Sequence, residues 1–156
     1  MSATLTLATL EHSEKVLPLV AAFHAEEGLS KSDEAREAAV LPLLEGTPHG
    51  ALYLIGPLRA PVGYVALGFG WSIEFGGIDG FLDELYIRPP VRGRGLASEV
   101  LQALPAALAS AGVTALHLEV GHDNSTAKSL YERAGFVSRA PYQLMTRRLS
   151  APMSGT

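Results

Sequence analysis

The sequence contains no cysteine among its 156 residues. A disulfide, a thiolate metal ligand and a cysteine nucleophile are therefore excluded, and a reducing compartment is compatible with the composition. Long hydrophobic runs are also missing, since no stretch reaches the roughly 18 apolar residues of a membrane-spanning helix. The amino terminus lacks the basic region that opens a secretion signal. We therefore expect a cytoplasmic protein with no membrane partner.

Charge is scarce and slightly acidic. Charged residues make up 18% of the chain, the formal net charge is −4, and 47% of the residues are hydrophobic. This composition is typical of an ordered globular protein. The acidic balance argues against nucleic-acid binding, which needs a basic surface. The length predicts one domain over residues 1–150 with a polar tail at 151–156, and no spacing of His, Asp and Glu indicates a metal site.

Hydrophobic periodicity predicts the element order β-α-α-β-β-β-α-β-α-β. Runs of strands followed by one β-α-β unit indicate an α+β domain with a mixed, mostly antiparallel sheet. Ser30 or Ser32 is the expected cap of the second helix. The predicted strands are 4–10, 51–56, 62–75, 80–87, 115–120 and a last strand or strand pair at 136–149; the predicted helices are 14–27, 30–45, 92–111 and 124–134.

The strongest local pattern runs from Arg92 to Ala97, between a strand end and a helix start. The N–H groups of a first helical turn lack partners and the helix dipole is positive there, so backbone amides can hold a pyrophosphate. Gly93 and Gly95 leave room for the phosphates, although they would equally suit a purely structural turn. The side chains of Arg92 and Arg94 can add charge-assisted contacts or be solvated. The segment is neither a Walker loop nor a dinucleotide fingerprint.

Two motifs give the sequence a resemblance to a known family. Arg92-x-x-Gly95-x-Ala97, directly after a Leu-Tyr-Ile strand end, resembles the pyrophosphate loop of the GNAT acetyltransferase superfamily, although many members have glycine at the position of Ala97. Asn124-x-x-Ala127-x-x-x-Tyr131-x-x-x-Gly135-Phe136 resembles the downstream motif of the same family. The element order matches over residues 4–149, and the motifs are most similar to members that act on small amines or polyamines. The resemblance implies a GNAT-like three-layer fold with splayed central strands.

The resemblance also implies the chemistry. It implies acetyl-CoA as cosubstrate, no metal, direct transfer of the acetyl group to a primary amine, and a homodimer. Backbone groups of Leu85 and Ile87 would pair with the pantetheine arm, and amides up to Ser98 would hold the pyrophosphate. Asn124 would contact the pantetheine region, but it is equally a good helix N-cap. The implied cofactor-binding set is Leu85, Tyr86, Ile87, Arg92, Gly93, Arg94, Gly95, Leu96, Ala97, Ser98, Asn124, Ala127 and Tyr131.

Tyr131 is the candidate general acid. The departing CoA thiolate gathers charge as the acetyl group is transferred, and a phenol within hydrogen-bond reach can donate a proton to it. The resemblance assigns this role to the tyrosine of the downstream motif in many members. A tyrosine on an amphipathic helix can also be a packed aromatic, and Leu130 and Phe136 are close in sequence.

Asp83 and Glu84 are the candidate bases, because an amine must lose a proton to attack. Strand alternation would send their side chains to opposite faces of the sheet, so only one would lead. Resemblance to the polyamine-type members favours Asp83, acting through a water, with Glu84 as an anchor for a loop or helix. A structural hydrogen bond is an equal alternative for either. His117 and His122 are weaker candidate bases. His117 is in an apolar strand, where a satisfied core residue is the more common role, and His122 is predicted to lie in a surface loop.

The sequence defines the amine acceptor less clearly than it defines the cosubstrate. Selectivity is expected from the end of the first helix, at His24, Glu26 and Glu27, and from the middle hairpin, at Trp71 and Phe75. We favour a small-molecule amine. A protein or peptide amine, or a catalytically silent CoA-binding sensor, are the alternatives; an arginine-based nucleic-acid module is disfavoured by the acidic charge.

Overall fold

The computed structural model describes residues 3–150, so the predicted tail at 151–156 lies outside the described residues. No helix within residues 3–150 is long and apolar enough to cross a membrane. The elements are β1 (Leu5–Leu7), α1 (Ser13–Glu26), α2 (Asp33–Glu45), β2 (Gly50–Ile55), β3 (Gly63–Ser72), β4 (Gly77–Ile87), α3 (Leu96–Ser110), β5 (Ala115–His117) and α4 (Ser125–Arg133).

The five strands form one sheet in the order β1-β2-β3-β4-β5. Each neighbouring pair from β1 to β4 is antiparallel. Of the paired strands, only β4 and β5 run parallel, and they are connected through α3. A parallel pair needs such a long crossover, whereas short loops join β2 to β3 and β3 to β4, and α1 and α2 lie between β1 and β2. The predicted α+β class with a mixed, mostly antiparallel sheet is confirmed.

Local sequence signals set the helix ends. The Ser32 hydroxyl accepts a hydrogen bond from the Ala35 N–H at 3.0 Å, so it is the predicted N-cap of α2. Gly28 follows α1 with a positive φ of 70°, a backbone conformation that glycine adopts without a steric penalty. The helix predicted at 92–111 begins only at Leu96, because Pro89–Val91 forms a short 3₁₀ turn ahead of the glycines.

Side chains on the two faces of the sheet pack into two separate hydrophobic cores. On one face, Tyr64 and Tyr86 pack with residues of α1 and α2 such as Val20 and Leu44. On the other face, residues such as Val65 pack with the apolar side of α3. Burial on both faces of β3 and β4 fixes the register of the two strands that carry the candidate site.

Several strand predictions need correction: β1 ends at Leu7 rather than at Leu10, and β4 begins at Gly77 rather than at Gly80. Residues 136–149, predicted as a last strand or strand pair, form no strand, and Val137, Met145 and Leu149 are 84%, 88% and 89% exposed. The segment contains Pro141, which has no N–H to donate to a sheet ladder, and three arginines between its apolar residues. β5 stops at His117 rather than at 120, and β3 ends at Ser72.

Candidate functional site

The two strands at the centre of the candidate site separate after a short pairing. β4 pairs with β5 only from Asp79 to Phe81. On the other side of β4, Arg88 N–H donates to Val62 O at 2.8 Å, so by antiparallel alternation Tyr86 and Glu84 also face β3. Leu85 and Ile87 therefore turn their backbone N–H and C=O groups into the gap, where the sequence places the pantetheine arm.

The loop before α3 provides an anion cradle at the end of this gap. Gly93 and Gly95 have φ values of 79° and 78°, and a Cβ atom added to either would meet nothing within 4 Å. Within residues 3–150, no backbone hydrogen bond uses the N–H groups of residues 93–98. Free amides, an open glycine surface and the positive end of the α3 dipole are the features that hold phosphates.

Arg92 ties this loop to the rest of the protein. Its Nε donates to Ile87 O at 2.8 Å, and its Nη2 forms an ion pair with Glu26 at 2.7 Å. Its guanidinium lies 5.6 Å from the centre of the Tyr86 ring, and its own N–H donates to Pro89 O. The Arg92 side chain therefore has protein partners, whereas Arg94 is exposed and forms no ion pair with any described residue.

A β-bulge interrupts β4 at the candidate bases. Ala66 pairs with Glu84, but the next residue of β3, Leu67, pairs with Leu82, so Asp83 is an additional residue without a partner. Leu82 and Leu85 consequently pack with the same core although three positions separate them. Strict alternation, which predicted opposite faces for Asp83 and Glu84, does not hold here. Bulges often re-aim side chains next to active sites.

Glu84 is held by two side chains of the α1 and α2 face. The Tyr64 hydroxyl donates to Glu84 Oε1 at 2.7 Å, and His24 Nε2 donates to Glu84 Oε2 at 2.8 Å. Burial, and then the Glu84 charge, raise the pKa of Tyr64 well above its usual value, so this hydroxyl stays protonated. His24 is 6% exposed, and its Nδ1 is buried with no hydrogen-bond partner in the described structure. Both Glu84 oxygens are thus engaged.

Asp83 is the free carboxylate of the site. It is exposed, and no hydrogen bond to it occurs within residues 3–150. Desolvation by the surrounding protein, followed by the negative charges of Glu84 and Glu119, raises the pKa of Asp83, while His24 acts in the opposite direction. A carboxyl group with a raised pKa binds a proton more readily than an ordinary one, as a general base should.

Tyr131 lies on α4 and is half-buried. Its ring packs against the core on the α3 side and stands edge-on to Phe136 at 6.1 Å. Burial raises the pKa of the Tyr131 hydroxyl, which is therefore a proton donor at neutral pH. The Tyr131 side chain is packed as an aromatic residue, and its hydroxyl forms no hydrogen bond in the part of the chain described.

Asn124 caps the helix that carries Tyr131. Its Oδ1 accepts from the Ala127 N–H at 3.1 Å. The N-cap interpretation of Asn124 is confirmed, and this contact leaves its amide NH₂ group without a partner among the described side chains.

Sequence reasoning missed the partners of Glu84. His24 and Glu26 were assigned to the acceptor region, yet His24 bonds Glu84 and Glu26 bonds Arg92. Tyr64 was not singled out, because a tyrosine in an apolar strand carries no signal of its partner. His117 bonds Asp79 at 3.2 Å. The described residues contain no group of three or more His, Cys, Asp or Glu that could hold a metal ion.

Comparisons with known proteins point to one family. The model of the acetyltransferase (GNAT) family matches residues 17–136. The uncharacterized N-acetyltransferase YycN of Bacillus subtilis is 40% identical over 58 residues, a match that covers 37% of this chain and 37% of that protein.

Solved structures extend the likeness to nearly the whole chain. An integron cassette protein from the mobile metagenome of Cole Harbour Salt Marsh is 30% identical, with a TM-score of 0.82 over 96% of this chain and 92% of its own. AAC(6')-Iy, in complex with the bisubstrate analogue CoA-S-monomethyl-acetylneamine, is 16% identical, with a TM-score of 0.75 over 97% of this chain and all of its own. The second likeness concerns the fold alone.

Proposed function

Because the chain belongs to the acetyltransferase (GNAT) family, we propose that it transfers an acetyl group from acetyl-CoA to a primary amine of a small molecule. One observation carries the proposal. An unpaired stretch of β4 leads from a cradle of free amides at residues 93–98 to the free carboxylate of Asp83. A cosubstrate with a phosphate end and a reactive end fits such a groove.

We assign acetyl-CoA to the gap residue by residue. The N–H groups of residues 93–98 bind the pyrophosphate, with Arg94 within the same loop. Leu85 and Ile87 pair with the pantetheine arm as an added strand, with Ile87 O already shared with Arg92. We assign Asn124, Ala127 and Tyr131 to the opposite wall. Acetyl-CoA, when bound, supplies the activated thioester.

Asp83 and Glu84 have different roles: Asp83 is the base, and Glu84 positions it. Asp83, unpaired and with a raised pKa, takes the proton of the attacking amine, directly or through a water. Glu84 is a positioning residue, because Tyr64 and His24 occupy both of its oxygens. Its buried attachment to α1 holds the bulge that presents Asp83.

Tyr131 acts on the leaving group rather than on the attacking amine. Its hydroxyl is protonated because burial raises its pKa, and it donates the proton at the sulfur of the leaving thiolate. The attack is direct, and the chain has no cysteine on which a thioester intermediate could form.

The charge around Asp83 supports a cationic acceptor. Glu84 and Glu119 act on Asp83 through negative charge, and an amine that arrives as an ammonium ion is attracted to such a site. An open gap and a short free carboxylate suit a small molecule.

The experiment is thiol release from acetyl-CoA against polyamines, amino acids, aminoglycosides, arylamines and lysine-bearing peptides, with calorimetry of acetyl-CoA binding in parallel. We expect turnover on small amines, and lower turnover in Asp83→Asn. Turnover on peptides alone would replace the small-molecule acceptor by a protein amine. Binding without turnover would favour a silent sensor, and no binding would refute the proposal.

A further inference from the structure

A cavity of about 320 Å³ lies on the sheet where β4 and β5 are still paired. Gly68 and Gly70 of β3 contribute its floor, and Asp79, Phe81 and His117 contribute its sides. Phe81 and His117 are the last paired residues before the two strands separate. The cavity, which we call the glycine pocket, therefore lies at the closed end of the gap, and Asp83 follows Phe81 by two residues on the same strand.

A carboxylate oxygen lies over the floor of the glycine pocket. Asp79 Oδ2 is bonded to His117 Nε2 at 3.2 Å, but Asp79 Oδ1 has no hydrogen-bond donor anywhere in residues 3–150. A Cβ atom added to Gly70 would come within 3.1 Å of that Oδ1. The glycine thus leaves a space beside the carboxylate that a side chain would fill. The Asp79 and His117 side chains are 23% and 27% exposed, so the pair is accessible but partly desolvated.

We propose that the glycine pocket binds a second cationic group of the acceptor, so that the preferred substrates are diamines and longer polyamines. This inference rests on the proposed function, and it adds a binding site for the end of the acceptor that does not react. Asp79 Oδ1 accepts a hydrogen bond from that distant ammonium group, with the Phe81 ring beside it.

The spacing along β4 sets the length of the acceptor. Asp83 is four positions after Asp79, which is at most about 13 Å of extended strand because the bulge at Asp83 shortens the segment. A chain with one nitrogen at each carboxylate therefore bridges the two sites, whereas a monoamine reaches only one of them. The cations near the pocket do not compete for Oδ1, because His117 is bonded to Oδ2 and Arg139 is bonded to Glu74 and stacked on Phe75.

The test compares amine pairs that differ in the second nitrogen: putrescine with butylamine, and spermidine with a monoamine of the same length. We expect wild-type kcat/KM to favour the diamine of each pair. Asp79→Asn should lower this preference about 10- to 100-fold, as expected for the loss of a charge-assisted hydrogen bond. An unchanged preference in Asp79→Asn overturns the inference.

A second variant separates the pocket from the ion pair. Gly68 has an ordinary negative φ, and a Cβ atom there would meet only His49 O at 3.9 Å, so Gly68→Val fills the pocket without touching Asp79. It should lower the diamine preference as well. Glu37→Gln on the exposed side of α2 makes the same charge change as Asp79→Asn and should keep the preference. Melting temperatures check that each variant is folded.

The outcomes also separate the inference from the proposed function. Equal kcat/KM for monoamines and diamines would overturn the inference and leave the acetyltransferase intact. If no amine is acetylated but acetyl-CoA binds, calorimetry of spermidine with the CoA-loaded protein decides: binding that Asp79→Asn weakens supports the pocket, and no binding overturns it. If acetyl-CoA itself does not bind, both the proposed function and the inference are refuted.

Discussion

At the residue scale, the site contains two adjacent carboxylates with different environments. Glu84 receives hydrogen bonds from Tyr64 and His24, whereas Asp83 occupies the bulge with no partner among the described residues. The surroundings raise the pKa of Asp83, and the two carboxylates have different partners, so their roles can differ too. The free group exchanges protons with the substrate, and the bonded group holds the strand.

Replacing Asp83 by Asn should lower kcat/KM about 10²- to 10⁴-fold, the range of a lost general base. The active form of Asp83 is the carboxylate, so the wild-type rate should fall as the pH drops through its pKa. Because the pKa of Asp83 is raised from 3.8, this decrease should begin at a higher pH than for an ordinary aspartate. A pH profile of kcat/KM measures it. The same acid limb in Asp83→Asn would assign it to another group.

Replacing Tyr131 by Phe should lower kcat by more than it weakens acetyl-CoA binding, because the hydroxyl acts on the leaving sulfur. The Phe ring keeps the packing against Phe136, so the fold should be retained. Steady-state kinetics and calorimetry give the two quantities separately. Equal losses in both would instead indicate a binding or packing role for Tyr131.

Replacing Tyr64 by Phe should lower the free energy of unfolding by about 1.5–3 kcal/mol, because a donor to the Glu84 carboxylate is lost in a buried site. Tyr53→Phe on the neighbouring strand is the matched control, since none of the described hydrogen bonds involves its hydroxyl and its side chain is less buried. Denaturant unfolding measures both. Similar values for the two variants would contradict the anchoring role of Tyr64.

At the element scale, the features that the sequence predicts correctly are those set by interactions between residues close in sequence. Ser32 and Gly28 mark helix ends by hydrogen bonding and backbone freedom, and the glycines at 93 and 95 identify the anion cradle. The bulge at Asp83 could not be predicted, because it depends on the register between two strands. The predicted last strand is wrong because its apolar residues are interrupted by Pro141, which has no N–H for a sheet ladder, and by three arginines.

Gly95 and Gly112 at the two ends of α3 allow a matched comparison. Their φ values are 78° and 93°, and a Cβ atom on either meets nothing within 4 Å. Alanine at either position should therefore lower stability by about 1–2 kcal/mol through left-handed backbone strain. Only Gly95→Ala should also weaken acetyl-CoA binding, because its methyl group occupies the phosphate approach. Equal acetyl-CoA affinity in the two variants would refute the cradle.

At the scale of the whole molecule, large apolar side chains are exposed in two segments, the β3–β4 hairpin and the segment after α4. Trp71 and Ile73 stand at the β3–β4 hairpin, and Tyr142, Leu144 and Met145 lie in the segment after α4. Arg139 links the two parts by its ion pair with Glu74 and its position over the Phe75 and Tyr142 rings. Large apolar side chains exposed in such numbers are typical of an interaction surface.

We expect this surface to belong to the homodimer that the family resemblance implies. Met145→Glu should convert a dimer to a monomer, because it would bury a charge at the contact. Leu58→Glu is the control, since Leu58 is also exposed but lies in the β2–β3 turn at the opposite end of the strands. Sedimentation velocity distinguishes the two states. A wild-type monomer would show that this surface serves another purpose.

The separation of β4 from β5 leaves a sheet that its own chain does not complete. The N–H groups of Leu85 and Ile87 face the gap without a strand beyond them, so they should exchange with deuterium far faster than those of Tyr86 and Glu84, which face β3. A ligand lying in the gap would slow exchange at alternate residues of a single strand. The stability of the whole fold would then rise with ligand concentration, so that in a cell the supply of cosubstrate would help to set how long this protein survives.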